Sequence, residues 1–267
     1  MSSDRFGSLA RPPLAAAALQ AALAGPNRPW RELRLVDSTG STNADLVEAA
    51  VAGEPGGLVL VAEEQTAGRG RLGRTWSAPA RSGLTFSVLL RPQAPPATLG
   101  WLSLLVGLAA AEAVGRVAEL DVRLKWPNDL LVDDRKLAGV LAERVGTAVV
   151  VGVGLNVSST SAELPTLTAT SLAIEAAACT DRDPLLRAVL RRLAERYASW
   201  DGPGGDPALP DDYRASCATI GREVRVELPD GRFVEGLAQG VDDDGRLVVG
   251  TPTGARRVGA GDVVHLR

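Results

Sequence analysis

The sequence predicts an α+β fold in two parts, a mixed-sheet α/β body over 29–208 and a small all-β domain over 212–267. Three observations carry this. Apolar runs of strand length alternate with runs of helical period as far as Trp200. The composition then breaks at Gly202-Pro203-Gly204-Gly205-Asp206-Pro207, a linker by its glycine and proline content. Beyond Glu223, short alternating strands are parted by turns at Pro229-Asp230-Gly231, Asp243-Asp244-Gly245 and Thr253-Gly254, the regular spacing of a small barrel.

Residues 1–28 read as an extension in which Leu14 to Ala24 can be helical, too short for a winged DNA-binding domain. Trp30 to Val36 alternates apolar and charged residues, as a half-buried strand does. Ser38 to Asn43 is a polar turn into a helix near Thr42 to Ala52, with Thr42 and Asp45 at capping-box spacing. Leu58 to Ala62 is a buried strand, 63–82 a long loop rich in Gly and Arg, and Leu84 to Leu90 a second strand. Ala97 to Val117 is an apolar helix. Val122 to Trp126, Leu137 to Arg144 and Ala148 to Val157 are strands. Pro184 to Trp200 is an amphipathic helix with Leu186, Val189, Leu190, Leu193 and Tyr197 on one side.

Composition narrows the chemistry. The chain has 267 residues, is 45% hydrophobic and carries a formal net charge of −3, which suits a globular protein and not a nucleic-acid coat. No segment is read as reaching the ~18 apolar residues of a membrane span. Two distant cysteines, Cys179 and Cys217, and the lack of a signal-peptide pattern point to a reducing, cytoplasmic setting. The one histidine, His265, rules out a Ser-His-Asp triad or a His-rich zinc site and reads as structural. Electrostatics and positioning by Arg, Lys, Asn and backbone N–H groups remain.

Four stretches are candidates for that work. Gln65-Thr66-Ala67-Gly68-Arg69-Gly70-Arg71-Leu72-Gly73-Arg74-Thr75-Trp76 combines backbone freedom with guanidinium forks suited to carboxylate or phosphate. The alternative is a solvated Arg/Gly loop or a nucleic-acid contact. Lys125-Trp126-Pro127-Asn128-Asp129 puts a lysine at a strand end, where sites are often built, or else beside a surface turn. Gly152-Val153-Gly154-Leu155-Asn156 sets two glycines and an asparagine on one strand face, bare enough for a flat heterocycle or for a bulge. Ser41-Thr42-Asn43 opens a helix, where hydroxyls cap the backbone and can hold a polar ligand group.

In order, "GSTNADL", "EEQTAGRGRLGRTW", "LKWPNDLLVDDRKLAGVLAE" and "VGVGLN" resemble the biotin protein ligases over most of the chain. The related lipoate ligases share the fold but usually lack this pairing of GRGR with KWPND. The resemblance implies a class II synthetase-like catalytic domain and an SH3-like β-barrel. It implies a ligase that uses ATP and Mg²⁺ to form an acyl-adenylate of biotin and passes it to a biotin carboxyl carrier domain. It places Ser41, Thr42, Asn43, Gln65 and Gly154 at biotin, and Gly68, Arg69, Gly70 and Arg71 in a loop ordering over biotin and adenylate. Lys125 would meet the reacting carboxylate and α-phosphate, with Arg69 and Arg71 as its catalytic companions. Arg71, Arg74, Trp76, Asn128, Lys136 and Asn156 would serve the nucleotide, and Asp129 is a candidate base for the acceptor amine. Without room for the DNA-binding domain of bifunctional members, repression is not expected, nor is a nucleic-acid or membrane partner. Competing readings are a lipoate or octanoate ligase and a nucleic-acid module, the latter opposed by the acidic charge and by Phe233 being the one aromatic on the barrel.

Overall fold

The computed structural model describes residues 11–266. Its centre is a seven-stranded sheet in the order β1-β2-β3-β7-β6-β5-β4. The strands are β1 (Glu32–Val36), β2 (Leu58–Ala62), β3 (Gly83–Leu90), β4 (Arg123–Lys125), β5 (Asp129–Val132), β6 (Arg135–Val145) and β7 (Ala148–Asn156). Only β1 and β2 are parallel; the other neighbours are antiparallel, so the sheet is mixed. β2, β3 and β7 are buried along their whole length, which explains their near-continuous apolar runs.

The two faces of the sheet are covered unequally. On one lie α1 (Ala16–Leu23), α3 (Trp101–Ala118) and α4 (Arg182–Asp201), packed on residues such as Val59, Phe86, Val88, Val151 and Val153. On the other, α2 (Thr42–Val51) covers a smaller cluster of Leu46, Ala50, Leu58, Leu60, Leu89 and Val150. Beyond that cluster the second face turns polar and glycine-rich, and there the site is built.

Several expectations are corrected. The helix at Thr42 is capped by Ser41, whose hydroxyl accepts from Ala44 N at 3.4 Å, while Asp45 accepts from Thr39 Oγ1 at 2.5 Å, so Thr42 and Asp45 are not a capping box. The linker composition at 202–207 runs straight into a short helix, α5 (Leu209–Ser216), with Leu209 and Tyr213 buried. A segment long and apolar enough for a membrane span does exist, Pro96–Ala118, which contains α3. It is a core helix: thirteen of its residues are buried, and its Glu112 is paired with Arg192 at 2.6 Å and with Arg196.

The first ten residues of the 1–28 extension lie outside the described residues, but the rest is no loose appendage. Leu14, Leu19 and Leu23 are buried with Trp30, whose Nε1 donates to Leu190 O at 3.1 Å. Leu14 N donates to Glu63 Oε1 at 2.6 Å, and Arg182 bridges Glu63 Oε2 at 2.5 Å and Pro12 O at 2.6 Å. Glu63 and Arg182 are both buried, at the point where β2 gives way to the arginine-rich loop.

After α5 come β8 (Glu223–Glu227), β9 (Phe233–Val241), β10 (Leu247–Thr251), β11 (Gly254–Val258) and β12 (Asp262–His265). They form an antiparallel sheet in the order β11-β10-β9-β8-β12, with a bulge between Val248 and Val249. The inward residues Val224, Val226, Ala238, Leu247 and Val249 join the core of the body.

Removing one partner of a buried pair leaves an uncompensated charge, at a cost of about 3–5 kcal/mol. Arg182→Met should therefore lower unfolding stability by about that amount in urea titrations. A loss under about 1 kcal/mol would mean that Glu63 finds water or another partner.

Candidate active site

The register of the central sheet aligns the residues that matter. Lys125 pairs with Asp129, Asp129 with Gly139, Gly139 with Gly154, and Gly154 with Thr85. Cross-strand partners share a face, so these five form one row beyond α2, and Ser87 and Gly152 form part of the next. A cavity of about 270 Å³ stands on this floor.

The glycines are required by what lies on them. A Cβ at Gly154 would come within 2.3 Å of the Trp76 indole, and one at Gly152 within 2.2 Å of Asn43 Oδ1. Gly139 is 3.6 Å from the same indole by the same measure. The bare stripe therefore seats the chain's own Trp76 and Asn43 as walls of the cavity. Lys136 Nζ stands 6.0 Å from the centre of the indole ring, within cation–π reach, and its other partner is Asp129 at 2.7 Å.

One end of the cavity is lined by neutral hydrogen-bonding groups at the start of α2. Gln65 Oε1 accepts from Thr42 N at 2.8 Å and from Thr42 Oγ1 at 2.9 Å. Thr42 Oγ1 also lies 2.7 Å from Ser87 Oγ, which donates to Asn43 Oδ1 at 2.6 Å. Asn43 Nδ2 donates to Glu143 Oε2 at 2.7 Å. Ser41, Thr42 and Asn43 are all buried.

The other end is cationic. Arg69, Arg71, Arg74, Lys125 and Lys136 line the cavity against two carboxylates, Asp129 and Asp262. This is a local excess of positive charge in a chain of net charge −3. Burial depresses the pKa of the Lys125 ammonium; Asp129 opposes the shift and Lys136 adds to it. Burial likewise lowers that of Arg71, whose Nη1 donates to Asn128 Oδ1 at 3.2 Å. Asn128 braces the turn after β4: its Nδ2 donates to Val140 O at 3.0 Å and its N to Lys125 O at 3.1 Å.

The arginine-rich loop is more regular than its composition suggests. Trp76 N donates to Gly68 O at 2.9 Å and Gly70 N to Arg74 O at 2.7 Å around a 3-10 turn at Arg71–Gly73. Arg74 then reaches across to Asp262 on β12.

Of the residues to which the resemblance gives a role, all but two line the cavity. Gly68 is buried beneath the loop, where a Cβ would come within 2.4 Å of Trp76 O. Asn156 is two residues beyond Gly154 and donates to Thr170 O at 2.9 Å, away from the cavity. Sequence reasoning missed Gly139, Ser87 and Asp262. Gly139 carried a signal, since it interrupts an apolar strand as Gly152 does. Asp262 carried none, because only the docking of the second sheet brings it here.

Residues 35–157 match the Biotin/lipoate A/B protein ligase family, and 219–266 match the Biotin protein ligase C terminal domain. The chain is 46% identical to the biotin–[acetyl-CoA-carboxylase] ligase of Mycobacterium tuberculosis, over 96% of this chain and 97% of that one. The chain belongs to the biotin protein ligase family. This ligase also superposes on the biotin protein ligase from Aquifex aeolicus in complex with biotin and ATP. The TM-score is 0.77 at 30% identity, covering 89% of this chain and 100% of that one. The Leishmania major biotin protein ligase in complex with biotinyl-5-AMP gives a TM-score of 0.61 at 25% identity, over 86% and 99% of the two chains. The mixed sheet and the small β domain of the ligase are thus those of its family.

Gly154→Ala should push the Trp76 indole off the floor. A red shift in tryptophan emission is expected, and it should vanish in a Trp76→Phe background. The same shift in both backgrounds would place its origin elsewhere.

Proposed function

We propose that this ligase joins biotin to ATP as biotinyl-5'-AMP, releasing pyrophosphate, and then passes the biotinyl group to a lysine of the carrier domain of acetyl-CoA carboxylase or a related carboxylase. The observation that carries the reading is one cavity with two chemically different ends. The hydroxyl and amide groups of Ser41, Thr42, Asn43 and Gln65 suit a fused-ring ureido head, which needs hydrogen-bond partners that an alkyl chain does not. The five cations suit a phosphate chain. The free thiols Cys179 and Cys217 suit a reducing cytoplasm.

The first step brings an anion against an anion. A biotin carboxylate oxygen forms a bond to the α-phosphorus as the bond to the pyrophosphate oxygen breaks, and negative charge builds between them. Fixed cations directed at that charge lower the barrier. Lys125 stands at the end of the glycine row, on the cationic side of the cavity, with Arg69 and Arg71 arriving from the loop. Trp76, seated on Gly154, borders the nucleotide side with Arg74, Asn128 and Lys136, and Gly70 gives close backbone approach. Gly68 and Asn156 act through the loop and through the segment at Thr170.

In the second step the lysine amine of the carrier attacks the mixed anhydride and AMP leaves. Asp129 is held by Lys136 and opposes the burial that lowers the pKa of Lys125, which favours the part of a counter-ion over that of the base for the incoming amine. Among the described residues no three His, Cys, Asp or Glu side chains cluster, and both carboxylates of the cavity are paired with Lys136 and Arg74, so Mg²⁺ would be held chiefly by the phosphates of ATP and would reach the site with the nucleotide.

Pyrophosphate–ATP exchange should appear with biotin and not with lipoate or octanoate. Exchange with either of the others would keep the chemistry and change the substrate, and none with any acid would end the proposal. Lys125→Ala should slow adenylate formation about 10²–10³-fold in single turnovers. Near-wild-type rates would remove Lys125 from the step. Because its pKa is depressed, the charge on Lys125 is present at low pH and lost as pH rises, earlier than for an ordinary lysine. The alkaline fall in adenylation should therefore move to higher pH in Lys125→Arg. An unmoved limb would show that another group titrates.

A further inference from the structure

His265 lies beside the reacting row yet is wired to it. Its Nδ1 is 3.2 Å from Arg222 Nη1 and its Nε2 3.1 Å from Thr219 Oγ1. A guanidinium has only donors, so Nδ1 accepts, and the neutral ring carries its proton on Nε2, aimed at Thr219. The Thr219 hydroxyl, fully buried, also accepts the backbone N–H of Trp126 at 3.1 Å. Leu124 O, two residues before Trp126, accepts from Ala218 N at 2.7 Å. The segment before β8 thus grips β4 on both sides of Lys125.

We propose that His265, in its Nε2–H form, is a positioning residue for adenylate formation: it orients the Thr219 hydroxyl that fixes Trp126 and so aims the Lys125 ammonium. The inference rests on the ligase reading of the cavity. Three charged groups face the ring from the elements packed on it: Lys125 on β4, Arg222 ahead of β8 and Asp134 in the β5–β6 turn, which pairs with Arg222 at 2.7 Å. Burial first, then Lys125 and Arg222, hold its pKa down to about 4, with Asp134 opposing. The tautomer is therefore kept across the neutral range. A second ring proton would set two donors against each other at the Arg222 contact and break the relay.

The test is biotin-dependent pyrophosphate–ATP exchange on the full chain, with thermal melting alongside, for His265→Phe, His265→Gln, Thr219→Val and the Thr219→Val/His265→Phe pair. Wild-type exchange is the control for the ligase reading; without it that reading and this inference fall together. With it, His265→Phe should lower kcat about tenfold and leave the KM for biotin and the melting temperature nearly unchanged. Glutamine, whose amide can donate toward Thr219, should recover most of the rate. The double variant should be no slower than the slower single, since both break one relay. If His265→Phe does not fold, Thr219→Val carries the same expectation for kcat. A wild-type kcat in Phe or Val, a Gln variant no better than Phe, or losses that multiply in the double variant would overturn the proposal.

Discussion

Lys125 carries its positive charge into a partly buried cavity, and the desolvation of that ammonium is the constraint on which the site depends. Leu124 and Trp126, its neighbours in sequence, are both buried, so the chain cannot rotate the lysine toward solvent. Asp129, next in the row, offsets the loss of water. Lys136 in turn neutralises Asp129 and stands over Trp76, and Trp76 requires glycine beneath it. One charge thus accounts for much of a row that crosses five strands. The same desolvation makes the charge effective, because a cation in a dry site acts on developing negative charge more strongly than one in water.

The second sheet is part of this arrangement and not an attachment to it. Trp126 Nε1 donates to Gly245 O at 3.1 Å and Trp101 Nε1 to Asp243 O at 2.7 Å, so two tryptophans of the body are pinned by one turn of the C-terminal part. Asp262, Val263 and Val264 of β12 line the cavity directly. The apolar core runs without a break from Val153 of the central sheet to Val226 and Val249 of the small one.

Much of the fold was legible because local rules and the tertiary structure agree. The strands at Leu58–Ala62 and Ala148–Asn156 are buried throughout, as their runs of Leu, Val and Ala suggest, whereas the all-β stretch begins only at β8, past the helix α5 that follows the break in composition near 202. The short strand Asp129–Val132 escaped notice because a four-residue run between turns has no period to read. The segment 14–24 reads only as an extension because its alanines are weakly apolar; the buried Leu19 and Leu23, and the ion pair below them, decide its place. In the site, motif order gave the residues but not their partners. The glycines of Gly152–Asn156 were legible as a close approach, yet only register shows that Trp76 and Asn43 are what approaches. Asn156 shares their face and is drawn off to Thr170 by a contact that no spacing reveals.

The glycine row also fixes which kinds of sequence change the floor can absorb. Side chains alternate strictly between the two faces of a strand, so a one-residue insertion or deletion in β6 or β7 exchanges the faces of everything beyond it. Val140 or Val153 would then stand where Gly139 or Gly154 lies, and the indole of Trp76 would have no seat. Point replacements among the apolar residues of the opposite face, such as Val140, Val151 and Val153, alter volume alone. The strands beneath the cavity should therefore vary in composition far more freely than in length, and changes of length should collect in the turns that join them.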